Sequence, residues 1–283
     1  NKNPAKKAIA DYYGYPVGAV NYLPVDKIVI PVNKANAVKY GIVSVQDANQ
    51  MADHITVTLG KSQLYKSELA MIDLFANYNW DRAIYFSGGG ISDPANIFWL
   101  NDYLEYSGFS YKFVPIYNKF GEKGKIGRSN TKALYASFQD FEWGNYNLPE
   151  ASFSNTDRNY TNTYRNIAVR LAEDLAAEGN KAQAKQVLDK IMQMIPDVPS
   201  YDYGLSTERV AQAYNKIGET KKAQALLDTT KKRLIEKMSF YESLPPNLRY
   251  TVSRDLSNAR SDYSLMVYGE VGKYLEKVIK PMR

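Results

Sequence analysis

The sequence reads as an α/β domain followed by an all-α domain, and three observations carry this. From Lys27 to about residue 150, short β-branched runs alternate with segments of helical period. From about residue 160 the apolar residues keep helical spacing. Within that second region, residues 170–189 align without gaps on residues 209–228, an offset of 39. The expected domains are residues 1–150, with a small, mostly parallel sheet and covering helices, and residues 151–283, a tetratricopeptide-like helical repeat domain.

Residues 1–26 have no clean period and read as a packed loop or short helix. Lys27–Val32 (KIVIPV) is a short β-branched strand, and His54–Leu59 (HITVTL) alternates as a half-buried strand does. Ser67–Asn77 has apolar residues at 69, 72, 75 and 76, one helical face, with Ser67 as its cap. Ala83–Ser87 (AIYFS) is a strand running into Gly88-Gly89-Gly90. Asn96–Tyr106 reads as a helix that stops at Gly108. Tyr111–Tyr117 is a strand whose Pro115 places it at an edge or an end. A polar, glycine-rich loop follows over Asn118–Asn130, then a helix over Thr131–Phe141. Strand–helix–strand order favours parallel pairing.

The repeat has a mechanical reading. Its identities are Arg170/Arg209, Ala172/Ala211, Gly179/Gly218, Ala184/Ala223, Leu188/Leu227 and Asp189/Asp228. The small residues let paired helices approach closely, and each glycine ends a first helix and permits the turn. Val187, Leu188 and Ile191, and then Leu226, Leu227 and Leu234, face the core. Pro196 ends the second helix of the first copy. Small, Gly, small and Pro at these intervals match a tetratricopeptide pattern whose usual period is ~34, with the extra residues around Pro199–Tyr203. A third unit is expected after Pro245-Pro246, with a stripe of Val252, Leu256, Ala259, Tyr263 and Met266 and another of Val271, Tyr274, Leu275 and Val278. Gly269 and Gly272 are expected to break or kink it.

Composition narrows the functions. The chain has 283 residues, 45% of them hydrophobic and 23% charged, and no cysteine. That is globular composition, and it excludes disulfides, thiolate metal sites and cysteine nucleophiles. No run approaches the ~18 apolar residues of a membrane helix. Net charge is +6, with 15 basic and 14 acidic side chains through residue 150 and 21 and 16 after it. Nucleic-acid binders concentrate far more basic charge on one face, so no nucleic-acid partner is expected. The first residue is Asn1 and no signal-peptide pattern follows, which fits an excised piece of a larger protein.

Candidate chemistry is sparse. His54 is the single histidine, and its expected role is structural. Gly88-Gly89-Gly90 fits neither dinucleotide nor P-loop spacing and reads as a βα turn. Asp102 and Glu105, at i and i+3, share a face of the expected helix, a solvated acid pair unless one is buried and shifted. Lys221, Lys222, Lys231, Lys232, Arg233 and Lys237 form a basic face on one helix, solvated or suited to an acidic partner or anionic head groups. Trp80, Trp99 and Trp143 can stack on sugars, though such residues more often anchor cores. No cofactor, metal or catalytic residue is expected. The candidate ligand or partner surface is Trp80, Asp81, Arg82, Gly88, Gly89, Asp102, Glu105, Arg128 and Trp143, because strand-end loops of open sheets are where ligands bind.

Four collinear stretches carry a family resemblance: YKSELAMIDLFANYNWDRAIYFSGGG (65–90), WLNDYLEYSGFSYKFVPI (99–116), GRSNTKALYASFQDFEWGN (127–145) and TDRNYTNTYRNIAVRLAEDLAAEGNKAQA (156–184). The first resembles a K-S-E-L-x-x-x-D-x-x-x-x-N-x-W-x-R-P-I-Y-F signature. Together they resemble the C-terminal soluble region of a bacterial family of polytopic membrane proteins of unknown function. That family is related to membrane glycosyltransferases of the protein O-mannosyltransferase type. The resemblance covers most of residues 27–240, with Ala83 where proline is usual and Asn130 where an acid is usual. It implies a periplasmic position after the last membrane helix, attached to a membrane domain absent from this chain. The superfamily's catalytic acid lies on a loop outside this region, so no catalytic residue carries over.

The function expected is therefore that of a non-catalytic extracytoplasmic accessory domain of a glycosyltransferase-like membrane protein. Its repeats would hold an acceptor polypeptide or partner subunit, and its α/β part would touch glycan. The alternatives are a freestanding periplasmic adaptor or glycan-binding protein, and a small enzyme with its site at Asp102, Glu105 or Arg128.

Overall fold

A computed structural model describes residues 27–58, 66–87, 100–119, 125–148, 154–196 and 204–279. It is a mixed α/β structure that divides into two compact units. The first holds the described residues through Tyr106 together with Ser110–Arg128, and the second holds Ser107–Phe109 together with the described residues from Ser129. The division falls ahead of residue 150 because the helix after Asn130 packs with the helices that follow it.

The first unit begins with a two-stranded ribbon, β1 (Lys27–Pro31) against β2 (His54–Thr58). The pairing is antiparallel, with Ile30 opposite Ile55 and Ile28 opposite Val57. Ile55 and Val57 are buried while His54, Thr56 and Thr58 are exposed, so the sequence alternation becomes one apolar face. Between the strands lie α1 (Lys34–Lys39), capped by Asn33, and a 3-10 turn over Val45–Gln50 capped by Ser44. Helix α2 (Lys66–Ala76) starts one residue before Ser67, which is therefore inside the helix and not its cap.

A second sheet has the order β3-β5-β4-β6, with β3 at Tyr85–Ser87, β4 at Leu104–Tyr106, β5 at Ser110–Phe113 and β6 at Arg128–Ser129. Here two expectations fail. The β1–β2, β3–β5 and β4–β5 pairings are all antiparallel, so the small sheets are not mostly parallel. A parallel pair needs a crossover of a dozen or more residues, and β4 is joined to β5 by three, which makes a hairpin. The helix expected through Tyr106 also gives way. Its described part is a 3-10 turn at Asn101–Tyr103 followed by β4, with Tyr106 opposite Tyr111. Gly108, at φ 86°, serves as the hairpin turn and not as a helix stop. The core of this unit gathers Ile30, Ile42, Ile55, Phe75, Trp80, Leu100 and Phe113.

The second unit is helical. Its helices are α3 (Thr131–Gln139), α4 (Asn155–Ala177), α5 (Lys181–Met194), α6 (Gly204–Ile217), α7 (Thr220–Ser243), α8 (Pro246–Thr251) and α9 (Ser253–Ile279). Asn130 caps α3, and a Ser154–Asp157 capping box opens α4. The sequence repeat is two helical hairpins, α4 on α5 and α6 on α7, which also pack on each other through α4 and α6. Gly179 and Gly218 make the tight turns at φ 87° and 94°, where an L side chain is strained. Ala172, Ala184, Ala211 and Ala223 are all buried at the crossings, as are Val187, Leu188, Ile191, Leu227 and Leu234, whereas Leu226 is only half-buried. Pro196 follows the end of α5 at Ile195. Helix α9 packs on α7 and α6, with Leu256, Ala259 and Met266 buried, and it runs through Gly269 and Gly272 without a break. Residues 1–26, Gly88–Gly90, Trp99, Pro199–Tyr203 and the side chains of Val271, Tyr274, Leu275 and Val278 lie outside what is described.

Candidate functional site

The residues singled out in the sequence go to three different places. Trp80 is core and not surface, with none of it exposed. Its indole Nε1 donates to the Pro31 carbonyl at 2.8 Å, and its ring stacks on Phe113 with centroids 5.2 Å apart. The backbone there has φ 58°, a left-handed conformation rare for a large residue, which burial and stacking hold in place. Tyr78 packs beside it, and burial pushes that phenol up to about 12 while its hydroxyl donates to the Arg82 carbonyl at 2.7 Å. Asp81 and Arg82 themselves are exposed. Gly88 and Gly89 lie outside the described residues.

Glu105 and Arg128 meet. Because β4 is a strand, Glu105 lies opposite Lys112 on β5, and it does not share a helix face with Asp102 as expected. Lys112 Nζ is 2.8 Å from Glu105 Oε1, and Arg128 Nε is 3.2 Å from Oε2. The Arg128 guanidinium also donates to Asp47 Oδ2 at 2.7 Å. Asp47 in turn accepts from Ser44 Oγ and from Gln50 Nε2. Burial raises the Asp47 carboxyl, but the Arg128 hydrogen bond and charge outweigh it, and the group stays below the usual carboxylate range. The side chain of Glu105 is 6% exposed and that of Arg128 16%, so this is a nearly buried four-member network. Each carboxylate has a cationic partner, so the network braces the 3-10 turn against the sheet.

Trp143 is in the second unit. It is 6% exposed and lies among Phe138, Phe141 and Tyr164, with Phe109 edge-to-face on Tyr164 and tilted on Phe141. Its Nε1 has no acceptor among the described residues.

Two features of the helical unit escaped the sequence reading. Arg165 is fully buried in α4. It donates to Thr207 Oγ1 and to the Ile195 carbonyl, both at 2.9 Å, and so ties the end of α5 to the start of α6. The signal was present: Thr161, Arg165, Ala168, Ala172 and Leu175 fall on one helical face, and all are buried. The second feature is Asp189, the last residue of the repeat match. It pairs with Lys185 and with Lys222 at 2.6 Å and accepts from the Tyr214 hydroxyl at 2.9 Å, joining α5, α6 and α7. Burial and the Asp189 carboxylate push the Tyr214 phenol well above its usual range.

Along the α4–α6 contact a polar face remains. Arg209 donates to Asn166 at 3.1 Å, and Lys216 pairs with Glu173. Asn166, Arg209 and Lys216 are exposed. This face consists of hydrogen-bonding and charged groups on two packed helices. Among the described residues, no group of three or more His, Asp or Glu side chains is placed to hold a metal ion, and His54 is exposed at the start of β2. Among them, too, no helix is long and apolar enough to cross a membrane.

Comparison with known proteins places the first unit. No curated protein and no solved structure matches the chain. Residues 2–133, a little under half of the sequence, match the family model described as TMEM260-associated domain 2, so the chain carries a region similar to a domain associated with that membrane-protein family.

Proposed function

We propose that this chain is a non-catalytic, extracytoplasmic accessory region of a glycosyltransferase-like membrane protein, and that its helical unit holds an acceptor polypeptide or partner subunit. One observation carries the reading: the repeated helical hairpins α4–α5 and α6–α7, stacked through α4 and α6, with Asn166, Glu173, Arg209 and Lys216 along that contact. Stacked hairpins of tetratricopeptide type present such a face to extended chains. The match to a membrane-protein-associated domain supports a membrane-tethered parent, and the sequence resemblance supports a periplasmic position and a tie to mannosyltransferase-type enzymes. The closed Asp47–Arg128–Glu105–Lys112 network supports a scaffolding role for the first unit in place of an acid–base site.

Fractionating cells of the source organism and blotting with an antibody to this chain tests the tether. A band far above 32.1 kDa that only detergent extracts is expected, and a freely soluble band near that mass overturns it. A photo-cross-linking residue in place of Asn166 or Arg209 tests the face. Cross-linked polypeptide is expected from those positions and not from Lys232, which is 80% exposed on α7. Equal yields from all three positions defeat the assignment of the face.

A further inference from the structure

We propose that the corner between α8 and α9 is a second docking site on the helical unit, one that takes an acidic side chain of a bound polypeptide. This rests on the reading of that unit as a polypeptide binder, but it concerns different residues. An open cavity of about 450 Å³ is lined by Pro246, Arg249, Tyr250, Ser253, Leu256, Ser257 and Arg260. Two guanidinium groups line one cavity, and each keeps donors to spare. Arg249 uses Nε and Nη2 on the Leu244 carbonyl, at 3.2 and 3.0 Å. Arg260 uses Nη2 on Glu242, at 2.6 Å. A guanidinium carries five N–H donors, and its fork matches a carboxylate.

The remaining lining selects the kind of anion. Tyr250, which lines the cavity, is 83% exposed, and Pro246 and Leu256 line it too, so apolar surface accompanies the two guanidinium groups. A polypeptide supplies a carboxylate and neighbouring apolar side chains together, whereas a bare anion would leave that surface in water. Charge complementarity points the same way, because the chain from residue 151 onward carries the greater part of the +6 net charge. Glu242 is the acid paired with Arg260. It occupies part of Arg260 in the free protein and must be displaced or outcompeted on binding.

The test uses the full 283-residue chain and a fluorescein-labelled peptide of alternating Glu and Leu, with the matching Gln–Leu peptide as control, read by anisotropy. The Glu peptide is expected to bind and the Gln peptide to bind at least about tenfold more weakly, the range of one charge-assisted contact. Arg260→Gln and Ser257→Asp should each weaken the Glu peptide about tenfold, and Glu242→Gln should strengthen it severalfold. A purely structural Arg260–Glu242 pair would instead make the two single variants behave alike. Arg249 also holds the α7–α8 corner, so Ser257→Asp, which leaves both arginines in place, keeps the test independent of folding. Equal binding of both peptides, or binding indifferent to Ser257→Asp, overturns the proposal. So does a site that inorganic phosphate or phosphatidylglycerol vesicles occupy while the Glu peptide does not. Loss of peptide binding here with cross-linking at Asn166 and Arg209 intact would sink this site alone and leave the α4–α6 face standing.

Discussion

Individual side chains divide into those that hold the fold and those that remain available. Trp80 belongs to the first group. Replacing it with alanine removes a fully buried indole, its stack on Phe113 and its hydrogen bond to Pro31. Such truncations cost about 3–5 kcal/mol, and urea titration of Trp80→Ala should show a loss in that range. Arg165→Ala should cost about 3 kcal/mol in the helical unit, because Thr207 and the Ile195 carbonyl both lose a buried charged donor. The Asp47–Arg128 pair predicts a pH dependence. The folded carboxyl lies below its unfolded value of about 4, so the pair stabilises fully above that pH, and the contribution fades as pH falls through the folded value. Arg128→Met should therefore destabilise by about 2 kcal/mol at pH 7. Its deficit should narrow towards pH 2, which unfolding curves across that range would reveal. A deficit constant with pH would mean that packing, not charge, links the two.

At the level of helices and strands, the turn glycines and the hairpin contacts matter most. Gly179 and Gly218 sit at φ 87° and 94°, and a Cβ there would meet nothing within 4 Å. Alanine at either position then costs only the backbone strain, about 1–2 kcal/mol, with no steric term. Thermal unfolding of Gly218→Ala followed at 222 nm should report a loss of that size, and a much larger loss would point to a rearranged hairpin. The strands teach a different lesson. Leu100, Leu104 and Gly108 sit at helical spacing, with glycine where a helix could stop, and the same residues are used as a 3-10 turn, a strand and a hairpin turn. Short apolar runs cannot be assigned by period alone. What decided this one was the partner strand, with Leu104 opposite Phe113 and Tyr106 opposite Tyr111.

Among the described residues, two of the buried apolar clusters have no residue in common. One gathers around Trp80 and Phe113, and another joins Leu234, Ala259 and Met266. Damage to one core should therefore leave the helical signal of the other largely in place. For Phe113→Ala in a Trp143→Phe background, where Trp80 reports the damaged core, tryptophan fluorescence should be lost at lower urea than the bulk of the 222 nm signal. Coincident transitions, shifted together, would mean that the units unfold as one. The family match over residues 2–133 coincides with the first unit and barely enters the second, so the binding reading of the helical repeats stands on their own geometry.

The repeat at an offset of 39 was legible in the residues. Its alanines, glycines and leucines report local requirements for close approach, a left-handed turn and an apolar stripe, each satisfied within a few residues. The positions of β1, β2, α2, α3 and the long helices were legible for the same reason, since period and capping are short-range. The direction of strand pairing, the burial of Trp80, and the meeting of Asp47, Glu105, Lys112 and Arg128 were not. They depend on partners up to 81 residues apart, as Asp47 and Arg128 are, and no local pattern encodes which face a distant strand will offer. The chain's own order thus set which segments are helix or strand, while long-range packing chose which charges are spent on the scaffold and which, at Arg209 and Arg260, are left facing solvent.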